Sequence, residues 1–140
     1  MTKVFIDSNV WIRPLVENSP QATSTVQLTE AINQGQLLPT TSTIVLLEAN
    51  HVLISFYQIS PHQVTPDLKT ILSTKNLTLI EKTNFPAAIK LHQQTKVKLT
   101  DCVIATQCPP KTTFVTWDKD FQKFPNFSVK NPAQILKELD

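Results

Sequence analysis

What this chain has little of narrows its reading first. No stretch approaches the roughly 18 consecutive apolar residues of a membrane span. The only two cysteines, Cys102 and Cys108, have no cluster of Cys or His around them, and a zinc site needs about four such ligands. Packed free thiols are therefore expected, and zinc is not. The three histidines, His51, His62 and His92, are scattered; of these only His51, three residues from Glu48, falls near a residue of interest, and a surface role suits it. Glycine occurs once, at Gly35, where it can end a helix. The charge excess of +2 is too small for a protein that coats nucleic acid, yet leaves room for a basic patch beside an acidic site. No cleavage signal follows Met1-Thr2-Lys3, so a cytoplasmic location is the default expectation. What remains is 140 residues, 41% hydrophobic and 17% charged. That suits a single folded domain, residues 1–140, with one good core.

Strand and helix signals alternate along this length. Residues 3–7 read as a short buried strand. Residues 9–17 look helical, with Pro14 tolerated only if the first turn begins near Arg13 or the segment is irregular. Pro20 opens a helix over 21–33 that stops at Gly35. A strand over 37–40 is followed by hydroxyls at 41–43 that can cap a helix to about Tyr57. Pro61 opens a helix to about Ser73, and 77–80 is a strand. Asn84 caps a helix to about Lys96, and Thr100 caps one through Thr106, which Pro109-Pro110 breaks. Residues 112–116 are the most strand-like of the chain. A short strand over 127–129 and a helix from Asn131-Pro132 complete it. The strands are continuous apolar runs rather than alternations, the mark of a parallel sheet covered on both faces. The fold expected is α/β.

Against this apolar pattern, five of the eleven acids stand out. Asp7 follows Val4-Phe5-Ile6, Glu48 interrupts Ile44-Val45-Leu46-Leu47, and Asp101 precedes Cys102-Val103-Ile104-Ala105. Asp118 and Asp120 follow Phe114-Val115-Thr116-Trp117. Each has an ordinary reading: Asp7 as a helix cap, Asp101 as a first-turn acid, Asp118 and Asp120 as turn residues. Glu48 is the hardest to dismiss, because Ile44, Glu48 and Val52 share one helical stripe. An unpaired ionised carboxylate in apolar surroundings costs several kcal/mol, or becomes neutral. Asp7 and Asp118 sit at the carboxyl ends of strands, where open parallel sheets bind ligands. Together the acids point to a shared site for a hard divalent cation, Mg²⁺ or Mn²⁺, of the kind that acts on phosphates.

Phe5-Ile6-Asp7-Ser8-Asn9, the inward Glu48, Leu99-Thr100-Asp101-Cys102-Val103-Ile104-Ala105 and Val115-Thr116-Trp117-Asp118-Lys119-Asp120-Phe121 together resemble the PIN-domain nucleases. The likeness runs over essentially the whole chain, and the length is similar to that of VapC-type toxins of toxin–antitoxin pairs. It departs in the near absence of glycine and in Cys102, where an alanine is more usual. The resemblance implies a three-layer α/β/α domain with about five parallel strands and metal-dependent endoribonuclease activity, a hydrolase acting on phosphodiesters. It implies Asp7, Glu48, Asp101 and Asp118 as catalytic metal ligands, with Asp120 auxiliary. Asn9 and Thr116 would orient ligands or water from behind. It further implies in-line attack by a metal-activated water, leaving 5′-phosphate and 3′-hydroxyl ends.

Arg13, Lys98 and Lys119, and with them Lys96 and Lys123, flank the acidic elements and can hold phosphates. Trp117 can stack a base or pack at the strand end. An RNA substrate, a cognate antitoxin and a homodimer are expected by resemblance, with no membrane partner. The helices over 21–33 and 61–73 offer candidate partner surfaces. The competing readings are a PIN-like nuclease of RNA processing or DNA metabolism outside a toxin pair, and a non-catalytic nucleic-acid-binding module. A phosphoacceptor receiver domain is disfavoured, since the strand ending at Ile80-Glu81 carries no aspartate.

Overall fold

Val4, Phe5 and Ile6 are all buried at the end of β1 (Thr2–Ile6), and that strand is the centre of the sheet in a computed structural model describing residues 1–140. From it, α1 (Ser8–Val16) and α2 (Pro20–Asn33) lead to β2 (Leu37–Ser42). Next, α3 (Thr43–Ser55) and α4 (Pro61–Leu72) lead to β3 (Thr78–Ile80), and α5 (Phe85–Thr95) and α6 (Leu99–Gln107) lead to β4 (Thr113–Val115). A 3₁₀ segment, Lys119–Lys123, precedes β5 (Val129–Lys130) and α7 (Pro132–Leu139). The strand order is β3-β2-β1-β4-β5, and every pairing is parallel.

The chain steps outward from β1 through β2 to β3, then returns to the other side of β1 and steps outward again. Because parallel crossovers are right-handed, this reversal places the connecting helices on opposite faces. α1 packs on α2 and α3, α2 on α7, and α3 on α4, while α5 packs with α6. The outcome is the three-layer α/β/α arrangement with five parallel strands. Strand order reverses between β1 and β4, which opens a crevice beyond their carboxyl ends.

Local chemistry explains most boundaries. Ser19 caps α2 by accepting from Ala22 N–H, Ser42 caps α3 from Val45 N–H, and Asn131 forms a reciprocal capping box with Gln134. At the end of α2, Gly35 adopts φ +81°. Its N–H and that of Gln36 then satisfy the carbonyls of Ile32 and Ala31, the Schellman closure that glycine makes without strain.

Four boundary expectations change. Pro14 lies inside α1, near the end where its missing N–H removes a single helical bond. Thr100 does not cap α6; the helix starts one residue earlier, with Lys98 at the cap position and no side-chain bond. The last strand is Val129–Lys130 rather than 127–129, because Phe127 is drawn into the core instead. The buried stripe of α3 is Val45, Ala49 and Leu53, one position round from the stripe expected through Ile44, Glu48 and Val52. Glu48 therefore sits at the edge of the packed face.

Five of the seven phenylalanines form one stack across the β1–β4 half of the sheet. Phe5 and Phe114 stack at 5.3 Å, Phe114 and Phe121 at 4.4 Å, and Phe127 meets Phe114 at 5.2 Å. Phe124 closes the group against Phe121 and Phe127. Phe121 lies in the 3₁₀ segment, so this stack anchors the stretch that follows Asp118. Removing Phe114 leaves a cavity under that segment. Phe114→Ala is expected to lower stability by about 3–5 kcal/mol in urea unfolding. Amide exchange at 119–124 should accelerate more than exchange in α2; uniform exchange across both would contradict the anchoring role.

Candidate active site

Asp7 terminates β1 and caps α1 in the same stroke. Its Oδ1 accepts the N–H of Ser8 at 2.8 Å. Its Oδ2 accepts the Thr116 hydroxyl at 2.8 Å from just beyond β4 and the Asn9 amide at 3.3 Å. Asn9 also donates to Thr116 Oγ1 at 2.9 Å and accepts the Trp117 N–H at 2.9 Å. Thr116 Oγ1 in turn accepts the Asp118 N–H at 3.0 Å. Asn9 and Thr116 thus tie the end of β1 to the loop that carries Asp118, and Asp7 sits 2% exposed at the centre.

The other acids arrive on separate elements. Glu48 projects from α3, and its Oε1 accepts the Ser8 hydroxyl at 2.9 Å. Its Oε2 is buried without any hydrogen-bond partner. Asp101 lies in the first turn of α6 and is buried. Asp118 is half-buried and receives the Asp120 N–H at 2.9 Å, a turn-type contact. Asp120 is exposed and pairs with Lys123 at 3.3 Å, so it stands at the rim.

Electrostatics records how near these groups lie. Burial pushes the Asp7 carboxyl from the ordinary 3.8 up to about 7, against the Thr116 and Ser8 hydrogen bonds; the charges of Glu48 and Asp101 push the same way as burial. Burial likewise raises Asp101 to about 6, opposed by Lys98 and reinforced by Glu48, Asp118 and Asp120. The acids are neighbours, yet no three are drawn tightly enough to form a ready-made cation cage.

The residues fit a hard cation on two counts. Glu48 Oε2 is a buried oxygen that nothing in the protein satisfies, a state that costs about 1–3 kcal/mol or more. The neighbouring acids offer only carboxylate oxygens, which suits Mg²⁺ or Mn²⁺ and not zinc.

The basic residues are less uniform. Lys98 is exposed beside Asp101. Lys119 is exposed and lines a groove with Asp118, Thr116 and Trp117. Arg13 lines a second groove with Ser8, Asn9 and Glu48 and is paired with Glu17 at 3.1 Å. Lys123 is occupied with Asp120, and Lys96 is exposed at the left-handed cap of α5, φ 62°. Trp117 packs at the strand end, its indole N–H donating to Thr25 at 3.4 Å. His51 is exposed and contacts Ser55 at 3.4 Å. Ser8 is the participant that residue patterns did not single out. Its one available signal was a hydroxyl directly after a strand-ending acid, at a helix start.

With this geometry in hand, comparison assigns the class. The family profile described as the PIN domain matches residues 4–126, so the chain belongs to the PIN-domain family, a family of nucleases. No curated protein sequence matches it. Solved structures share the fold at low identity. VapBC2 from Rickettsia felis, bound to a DNA fragment from its promoter, is 18% identical with a TM-score of 0.70, over 93% of this chain and 98% of that one. VapBC-1 from nontypeable Haemophilus influenzae is 14% identical with a TM-score of 0.66, over 94% and 99%. A toxin–antitoxin complex from Klebsiella pneumoniae is 19% identical with a TM-score of 0.61, over 92% and 97%.

The raised aspartates determine the pH response of the metal-free protein. Between about pH 4 and about pH 7 the native state retains a proton that the unfolded chain releases, so stability falls as pH rises. For Asp7 the step from 3.8 to about 7 corresponds to on the order of 4 kcal/mol. Thermal melts in chelator should show Tm falling across this window, and Asp7→Asn should flatten the fall. Millimolar Mg²⁺ or Mn²⁺ should raise Tm at about pH 8 in the wild type and much less in Asp7→Asn. Identical pH profiles for the two proteins would contradict the burial penalty.

Proposed function

We propose that this chain is a divalent-metal-dependent endoribonuclease and the toxin of a type II toxin–antitoxin pair. The observation that carries the nuclease reading is the unpartnered Glu48 Oε2 beside aspartates whose burial resists ionisation. Asp7, Glu48, Asp101 and Asp118 are the residues that would hold the cation, with Asp120 adding negative charge from the rim. Nucleases of this family generally depend on divalent metal, and a bound cation supplies positive charge for phosphoryl oxygens and acidifies a water.

The chain's own residues prepare that chemistry. Ser8 N–H and the Thr116 hydroxyl hold both oxygens of Asp7 in one orientation. Asn9 keeps Thr116 and the Trp117 backbone in register with it, and the Ser8 hydroxyl fixes Glu48. Lys98 and Lys119 lie on the exposed side, where phosphates of an RNA strand would pass. In-line displacement of the ribose 3′-oxygen by water would leave 5′-phosphate and 3′-hydroxyl ends.

The toxin reading is supported by likeness to the VapBC structures and to the Klebsiella toxin–antitoxin complex. A groove of about 430 Å³ also runs between α1, α2 and α4, lined in part by Trp11, Leu15, Val26 and Ile71. Leu15 and Val26 are 41% and 54% exposed there, which suits the apolar face of an antitoxin segment. This groove uses the two helices expected as partner surfaces, and a homodimer completes the assembly proposed.

Asp7→Asn and Asp101→Asn should each remove RNA cleavage in Mg²⁺ or Mn²⁺ while the far-ultraviolet spectrum stays native. Thr116→Val, which removes an orienting hydroxyl rather than a ligand, should cost about 10–100-fold. Growth arrest on expression, relieved by the product of an adjacent gene, would identify the toxin role; cleavage without such a gene moves the protein to RNA processing. Undiminished cleavage by both Asn variants, free of contaminating nuclease, ends the nuclease assignment to these acids.

A further inference from the structure

We propose that Phe56 and Tyr57, at the C-terminal end of α3, form a base-stacking subsite that holds an unpaired nucleobase beside the acidic centre. This rests on the nuclease reading of that centre and adds how the strand is gripped. The two rings line the same groove, about 340 Å³ in volume, as Ser8, Asn9, Arg13 and Glu48. Eight residues separate Glu48 from Phe56, about 12 Å along a helix, so the aromatic end of the groove lies within a short stretch of strand from the acids.

Phe85 is likewise exposed, at 49%, but only Phe56 and Tyr57 are exposed rings in contact with each other. Five phenylalanines are gathered in the stack around Phe114, whereas Phe56 is 74% exposed and Tyr57 39%. A single exposed apolar ring needs no explanation. Here two adjacent rings meet edge to face, centroids 4.8 Å apart at 79°, and open onto the groove that carries Glu48. An edge-to-face pair keeps flat ring surface free, and a nucleobase is the flat partner that such surface accepts. Arg13 supplies the matching charge. Its guanidinium shares the groove lining with the rings and Glu48, paired with Glu17 at 3.1 Å and still partly exposed, where it can meet the phosphate joined to a stacked base.

Bases inside a duplex hide their faces in the stack, so this subsite selects single strands or loops. The arrangement also explains how an acidic centre draws a polyanion: affinity is carried by stacking and by Arg13 at one side, so the acids need not attract the phosphates themselves.

The test uses the full chain in chelator, with a fluorescein-labelled single-stranded oligoadenylate and a duplex of equal length as probes. Phe56→Ala and Tyr57→Ala should each weaken single-strand binding between about five- and a hundredfold, with little change for the duplex. Phe56→Trp and Tyr57→Phe should retain it. Arg13→Ala should reduce the salt slope of binding by about one. In cleavage, the alanine variants should raise KM more than they lower kcat. Unchanged single-strand affinity in both alanine variants overturns the proposal, as does equal loss for the duplex. A Tyr57→Phe loss matching Tyr57→Ala would assign the residue to hydrogen bonding instead and overturn stacking. Altered oligomeric state by light scattering, with binding intact, would assign the rings to a contact between copies and likewise overturn it. Single-strand binding that depends on the rings without any cleavage would sink the nuclease reading and leave the subsite standing. Cleavage with KM unmoved in the variants would sink the subsite alone.

Discussion

A carboxylate buried at the end of the central strand is what the rest of this structure is arranged around. Asp7 is almost wholly withdrawn from water, and three short contacts keep it there: a backbone N–H from the first residue of α1, a hydroxyl from beyond β4, and the Asn9 amide. The Thr116 contact joins elements more than a hundred residues apart in sequence. The contacts also lie where strand order reverses, the one place in a doubly wound sheet at which two neighbouring strand ends diverge and leave a crevice. The helix N-terminus at Ser8 favours negative charge, but burial outweighs it, as the upward displacement of the Asp7 carboxyl records.

The same penalty organises the neighbours. Glu48 has one oxygen satisfied by Ser8 and one satisfied by nothing. Asp101 is raised as well. A protein that packs its β1–β4 core with stacked phenylalanines could have filled this crevice with apolar side chains at lower cost. That it places acids there instead makes sense if a cation completes the site. Stability given up locally would then be recovered on binding, a common pattern at functional sites.

Two grooves adjoin this centre. One carries Thr116, Trp117, Asp118 and Lys119, the other Ser8, Arg13, Glu48 and the Phe56–Tyr57 pair. They meet where the Asn9 side chain touches Thr116. A strand laid along both would cross the acids at its middle, with positive charge available on either side. The largest apolar groove lies elsewhere, between α1, α2 and α4, so a protein partner and a nucleic acid would not compete for the same lining residues.

Much of this was legible from residue order. The apolar run at 4–6 and the strand-like stretch at 112–116 mark parallel buried strands, and the acids that follow them mark the ligand edge. The alternation of strand and helix signals led to the α/β architecture. The departures have physical causes. The stripe of α3 was placed one residue off because Leu46 and Leu47 make its hydrophobic pattern nearly continuous, leaving no clear face. Pro14 broke no helix because it falls near the helix end, where a single bond is lost. Thr100 has the residue type of a cap, yet α6 begins at Leu99 with no side-chain cap bond, so Thr100 falls inside its first turn. Ser8 carries only the weak signal of a hydroxyl after a strand-ending acid, and the Phe56–Tyr57 pair carries none.

The sequence by itself determined the kinds of residue at each strand end, and thereby the fold class and the all-oxygen character of the candidate site. Those are local properties: apolar runs specify strands, and an acid out of pattern is visible where it stands. Only the tertiary structure decided which acids are buried, which oxygen is left without a partner, and which groove each basic or aromatic side chain faces. Those depend on contacts between Asp7 and Thr116, or Ser8 and Glu48, whose separation along the chain leaves no periodic trace.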